Sequence, residues 1–376
     1  MKARTALILA PPIATFYTIG VMANFLPLYA RSLGASYAVV GLLSTAFFAS
    51  STPASLILGR MADRLGGVRV ILSASMLANA AVLYLMAVTR EASLLALLRL
   101  VQGVALSATI PLSMVAAAGD LGVHGSVGAT GVLSGVGFTL GGVAGGFLSA
   151  SLGYGGAFIS AALVSLASAF LALGYSSSIN APRVPGGWIS DLREIPLMLW
   201  FMYAALFVRQ LGASGVFAVL PVYMKEHLGA PDQAVGTILS LNPLAQAFFI
   251  YALSRLKAAS MLLYSAGLSL TGLVFIGYIA APTYLWVAPV QVLLGLAWSL
   301  IDVAGYVLIM HHASSRVKYT ATSMFNTVFN AAWIIGAFLG GVFADMYGAA
   351  AWMMLATLLA LLGGGMVLLT PKGNCS

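Results

Sequence analysis

The chain has 376 residues, 61% of them hydrophobic and only 7% charged. Soluble domains carry about 25% charged residues, so the composition argues against a soluble fold. The net charge of +8 is no sign of nucleic-acid binding, because polytopic membrane proteins gather basic residues in their cytoplasmic loops. The single cysteine, Cys375, can form no intramolecular disulfide and offers no thiolate metal site.

Apolar runs follow one another along the chain at 6–29, 38–58, 70–89, 93–116, 126–150 and 154–174. A second set lies at 196–224, 235–253, 260–281, 284–310, 319–345 and 349–370. Each is long enough to cross a bilayer as a helix, which satisfies its own backbone hydrogen bonds. The start of the chain (Met1, Lys2, Arg4, then apolar) has the look of a signal peptide, but no small-residue cleavage site follows. It is read as a retained first span.

With both ends cytoplasmic, twelve basic residues fall inside and three (Arg31, Arg90 and Lys225) fall outside, which sets the orientation. Segment 175–195 carries serines, prolines, paired glycines and charges, and reads as a cytoplasmic linker between two six-span halves, 1–174 and 196–376. The halves repeat each other. Pro27-Leu28-Tyr29 returns as Pro221-Val222-Tyr223, offset by 194, while Gly41 returns as Gly236, offset by 195. Gly141, Gly145, Gly146 and Gly153 return 195 residues later as Gly336, Gly340, Gly341 and Gly348. Six intervening spans make the two copies parallel, an arrangement suited to halves that rock about a midplane site.

Three motifs sit on this frame. Gly59-Arg60-Met61-Ala62-Asp63-Arg64-Leu65-Gly66-Gly67-Val68-Arg69 joins the second and third spans. It combines a tight turn with an acid that favours a helix N-terminus and arginines able to bridge to acids or carbonyls. Arg99-Leu100-Val101-Gln102-Gly103 lies in the fourth span, and Gly137-x-x-x-Gly141-Gly142-x-x-Gly145-Gly146 in the fifth. Together they resemble the major facilitator superfamily: its G-x-L-a-D-R-x-G-R turn, its R-x-x-Q-G motif and its antiporter motif G-x-x-x-G-P-x-x-G-G. The sequence departs in having Gly67 for the turn's last arginine and Gly142 for the antiporter proline. Small residues at this spacing also serve close helix packing by themselves.

The resemblance implies an all-α polytopic membrane protein of twelve transmembrane helices in two six-helix pseudo-repeat bundles. It implies a cytoplasmic gate at Gly59, Asp63, Arg64, Gly66 and Arg69, with Asp120 as a partner. It also implies a central cavity between spans one, four, seven and ten, and a role for Arg99 in substrate or proton coupling.

Polar groups inside spans are costly and therefore informative. Asp302 lies well inside the tenth span, with Trp298 and Tyr306 four residues to either side on the same helical face. Arg209, beside Gln210, lies near the middle of the seventh span. Its depth differs from that of Asp302 by roughly 8 Å at 1.5 Å per residue, so a pair split by an incoming proton or anion is expected. A permanent structural ion pair is the plainer alternative. Further candidates are Tyr17, Asn24, Asn242, Gln246, Asn326 and Asn330, as substrate contacts or as interhelical hydrogen bonds. Gly212-Ala213-Ser214-Gly215 matches an intramembrane protease serine motif, but such a serine needs a histidine, and His124, His227, His311 and His312 all lie near span ends.

The sequence thus points to a secondary transporter, not an enzyme, with no cofactor, resident metal or nucleic-acid partner. No phosphate-binding loop of the G-x-x-x-x-G-K type occurs. The expected function is export of a small organic solute across the cytoplasmic membrane by a monomer, coupled to protons through Asp302. The alternative is uptake of an organic anion or sugar, by proton symport or uniport, with Arg209 or Arg99 gripping a carboxylate.

Overall fold

The computed structural model describes residues 3–65, 68–174, 192–255, 261–314 and 316–369. Within these, the side chains of 3–6, 8, 56, 59–65, 115, 118–120, 122–128, 254–255 and 319 fall outside the description. The described residues form helices and short connections. They are α1 (Ala3–Ser32), α2 (Tyr37–Leu65), α3 (Val68–Val88), α4 (Ala92–Leu106), α5 (Thr109–Leu173), α6 (Leu197–Glu226), α7 (Asp232–Leu239), α8 (Leu241–Arg255), α9 (Met261–Ile279), α10 (Val287–His312), α11 (Lys318–Tyr347) and α12 (Ala349–Leu368).

Two of the expected spans are broken. The fourth is α4 plus the start of α5, interrupted at Ser107–Ala108, and the eighth is α7 plus α8, interrupted at Ser240. Each break precedes a proline, Pro111 and Pro243, whose missing N–H leaves the carbonyl four residues earlier without its helical partner.

The 65 residues of α5 do not form one rod. Thr15 donates to Thr109 at 3.0 Å, Tyr17 shares a hydrogen bond with Ser160 at 3.1 Å, and a Cβ on Gly141 would lie 2.1 Å from the Tyr17 carbonyl oxygen. A straight helix would separate residues 109 and 160 by about 75 Å, so the chain reverses twice. Gly153, at φ +73°, marks the second reversal in a conformation that only glycine adopts freely. Among the described residues, eleven helical stretches are long and apolar enough to cross a membrane, and the longest, Ala129–Leu173, is two passes folded at Gly153. The expected twelve-span architecture is met.

The halves meet along two seams, and these obey the sequence repeat. A Cβ on Gly41 of α2 would lie 2.2 Å from the Ala337 carbonyl oxygen of α11, and one on Gly236 of α7 would lie 2.1 Å from the Gly142 carbonyl oxygen of α5. Positions 41 and 236, and 142 and 337, are 195 apart. Thr45 donates to the Ile334 carbonyl at 2.7 Å, and its counterpart Ser240 lies against the Thr139 carbonyl at a looser 3.5 Å. The glycines of the fifth span therefore serve two contacts, Gly141 against α1 and Gly142 and Gly146 against α7. Backbones approach this closely only where side chains are absent.

The same end of the molecule carries the charges that join the halves. Arg31 pairs with Glu226 at 2.9 and 3.1 Å, and Tyr37 Oη donates to Glu226 at 3.2 Å. Asp345 accepts from the backbone N–H groups of Tyr37 and Ala38 at 2.7 and 2.8 Å, capping α2 from the opposite half. Lys225 pairs with Asp232 and donates to Tyr154 Oη at 2.7 Å. The hydrogen bonds named here that join the halves fall at this end, which is closed.

Candidate functional site

Trp298, Asp302 and Tyr306 share one face of helix α10; Trp298 and Asp302 are half-buried and Tyr306 is 37% exposed. Asp302 Oδ2 accepts from Gln246 Nε2 of α8 at 2.9 Å. Ser299 donates to the Gln246 carbonyl at 3.0 Å, so α8 and α10 are fastened beside the carboxylate. Gly295 permits that approach, since a Cβ there would lie 2.7 Å from the Ala245 Cβ and 2.8 Å from the Gln246 nitrogen.

Arg209 does not pair with Asp302. It is fully buried, with Nε and Nη2 donating to Thr271 Oγ1 of α9 at 3.1 and 2.9 Å and Nη1 donating to Gln210 Oε1. Its guanidinium carbon lies 4.1 Å from the centre of the Trp298 ring. The cation is thus held by a hydroxyl, an amide and an indole face, with three of its five N–H donors in these hydrogen bonds. The expected ion pair is absent because the guanidinium is turned to Thr271, Gln210 and Trp298. Asp302 keeps only its amide contact.

The polar groups of the N-terminal half are bonded to one another. Arg99 donates to the Leu43 carbonyl at 3.3 Å and to Gln102 Oε1, and lies over the Phe47 ring at 4.4 Å. Gln102 donates to Asn79 at 3.0 Å, and Asn79 donates to Ser165 at 2.8 Å. This chain of buried groups ties spans three, four and six together. Tyr17 is bonded to Ser160 as described. Asn79 was not among the sequence candidates, although a lone amide in the apolar run 70–89 was a readable signal.

Between the halves lies a row of rings. Phe48 of α2 stacks on Trp333 of α11 (centroids 4.9 Å apart, planes at 26°). Phe217 of α6 lies 6.1 Å from both Trp333 and Trp298, at 31° and 34°. Phe329 closes the side, 5.6 Å from Trp298 and 6.4 Å from Trp333. All five are only half-buried. Trp333 Nε1, Asn242 Oδ1, Gln210 Nε2 and Asn24 Nδ2 are buried atoms without a hydrogen-bond partner. Asn326 is exposed and donates to the Thr322 carbonyl at 3.1 Å; Asn330 is half-buried on the same face, and Tyr306 packs on Phe325 at 5.2 Å. Of these rings only Trp298 and Tyr306 were picked out from sequence; Trp333, on the same helical face as Asn326 and Asn330, and Phe329, four residues before it, were the available clues to the rest.

The expected cytoplasmic gate lies mostly outside the description. Gly59, Asp63 and Arg64 fall on the last turns of α2 and Asp120 within α5, their side chains not among those described, and Gly66 is outside the described residues. Arg69 is exposed on the first turn of α3. Among the described residues no group of His, Cys, Asp or Glu could hold a metal ion.

The profile of the Major Facilitator Superfamily matches the chain twice in succession, over residues 13–201 and 202–373. The chain belongs to this superfamily. Superfamily architecture is also what the solved structures show. A nucleoside transporter, NupG, superposes with a TM-score of 0.81 at 16% identity, covering 99% of this chain and 100% of its own. A bacterial homologue of the human lysosomal transporter Spinster, in an inward-facing and unoccupied conformation, gives 0.80 at 14% identity, with 98% and 97% covered. The human organic anion transporter MFSD10 gives 0.65 at 16% identity, with 97% and 99% covered. No match was found among curated protein sequences. The chain is therefore a multi-pass membrane transporter of small solutes and not an enzyme.

Proposed function

We propose that this superfamily member is a proton-coupled exporter of small organic solutes, working by alternating access between its two halves, 1–174 and 196–376. The observation that carries the reading is Asp302, a carboxylate on the cavity face of the tenth span with Gln246, and no cation, as its partner. A carboxylate held this way is free to take up and release a proton without breaking an ion pair. The direction of transport rests on the fifth-span glycines, which resemble the antiporter motif and form the seam that must open and close. Arg209 is not placed to grip an anionic solute, being fully buried beneath the Trp298 ring.

With both termini on the cytoplasmic side, as the basic loops require, the closed end is the outer one and the described conformation faces inward. The protein then acts as a monomer in the cell membrane.

Purified protein in liposomes with an internal pH dye tests this. A solute gradient imposed on wild type drives a pH change, and Asp302→Asn abolishes it while leaving solute exchange. Full solute-driven proton movement in Asp302→Asn overturns the reading. The sign of the dye response separates antiport from symport.

A further inference from the structure

The row of rings has features that a packed core would not need. Its members come from both halves, Phe48 from the first and Trp333, Phe217, Trp298 and Phe329 from the second, and every one keeps accessible surface. Four of the rings lie in roughly parallel planes, 26°, 31° and 34° apart in sequence along the row. Phe48 lies one turn from Thr45, whose hydroxyl bonds the carbonyl next to Trp333 at the inner limit of the seam. The Phe48–Trp333 stack therefore lies at the inner end of the seam, where the two halves meet the space between them.

We infer that the solute is a neutral, planar, heteroaromatic compound that stacks on Trp333 in the place Phe48 now occupies. This rests on the reading of the chain as a transporter with its site between the halves. Flatness follows from the stack, since a flat ring presents the same π-face to the indole that Phe48 does. The hetero atoms follow from the orphaned groups. Trp333 Nε1–H is a donor without an acceptor and Asn242 Oδ1 an acceptor without a donor. A ring with an acceptor at its edge, stacked where Phe48 now lies, gives Trp333 Nε1–H a partner.

Neutrality follows from the charges already present. The site holds one cation, Arg209, and one anion, Asp302, and neither is cancelled by direct contact with the other. A cationic solute would compete for the Trp298 face that Arg209 already covers at 4.1 Å. An anionic solute would meet Asp302, while the guanidinium lies fully buried against the Trp298 ring.

Equilibrium dialysis of purified full-length protein against adenine, uracil, tetraphenylphosphonium, benzoate and glucose tests the inference. The neutral planar pair is expected to bind at least about tenfold more tightly than the other three. Trp333→Ala is expected to weaken adenine binding about tenfold or more, and Trp333→Phe, which keeps a ring but loses the N–H, by less. Phe48→Leu removes the ring that the solute must displace, so it is expected to tighten binding, an effect that a misfolded variant cannot imitate.

Equal or tighter binding of tetraphenylphosphonium, benzoate or glucose overturns the inference. So does failure of both adenine and uracil to bind at millimolar concentration, or an unchanged adenine affinity in Trp333→Ala. If a non-planar solute drives proton movement through Asp302, this inference fails while the transport reading stands. If adenine binds as described but moves no protons, the inference stands and the coupling fails.

Discussion

The seam and the cavity are built from the same helices by opposite rules. At the closed end, contact is backbone against backbone: Gly41 on Ala337 and Gly236 on Gly142, each with no room for a side chain. Charged groups there are matched, Arg31 with Glu226 and Asp345 with two free N–H groups of α2. Between the halves, large rings keep accessible surface, and Trp333 Nε1 and Asn242 Oδ1 have no partner. The seam is a surface made to close on itself, and the cavity one made to close on something else.

The comparison breaks most severely at the seam. Gly236→Val would place its Cβ 2.1 Å from the Gly142 carbonyl oxygen, where neither backbone can yield. The closed end then fails to close, and flux in liposomes is expected to fall at least about a hundredfold. Gly131→Val, with nothing within 4 Å of its Cβ, serves as the control and is expected to keep near-normal flux.

A smaller effect is expected behind the cavity wall. Thr271→Val removes the acceptor for two Arg209 donors at a fully buried site. Leaving them unmatched costs about 1–3 kcal/mol, read as a lowered unfolding temperature in detergent and, through Trp298, as weakened solute binding.

The smallest effect belongs to the exposed pair. Arg31 and Glu226 are 29% and 41% exposed, and pairs of that kind contribute about 1 kcal/mol or less. Glu226→Gln is expected to shift the balance modestly toward opening at that end. Labelling of a cysteine placed in the seam measures the shift, and it should fade in high salt. Restoring the pair in reverse, Arg31→Glu with Glu226→Arg, should return the wild-type balance.

The architecture was legible because its causes are periodic. Apolar length announces a span, and glycines repeated at an offset of 195 announced contacts that later proved to be symmetric seams. The site was legible only in part. Asp302 and its stripe stood out because charge is rare in a span, and Gln246 was already a candidate. The partner of Arg209 was misjudged because a threonine hydroxyl on α9 carries no signal in an apolar sequence, whereas an acid elsewhere attracts attention. Phe48 and Phe217 were hidden for a similar reason: a phenylalanine in a span is ordinary until three-dimensional neighbours make a row of it.

The ion pair at the closed end has a consequence for how such a chain could arise. Arg31 and Glu226 are separated by 195 residues, the offset of the repeat itself, so each occupies the other's position in its own half. Two identical half-proteins assembled side by side would set arginine against arginine there, or glutamate against glutamate, and repel. The position can differ only where each copy has its own coding sequence, as the two halves of this chain do. The pair therefore makes the two halves non-interchangeable.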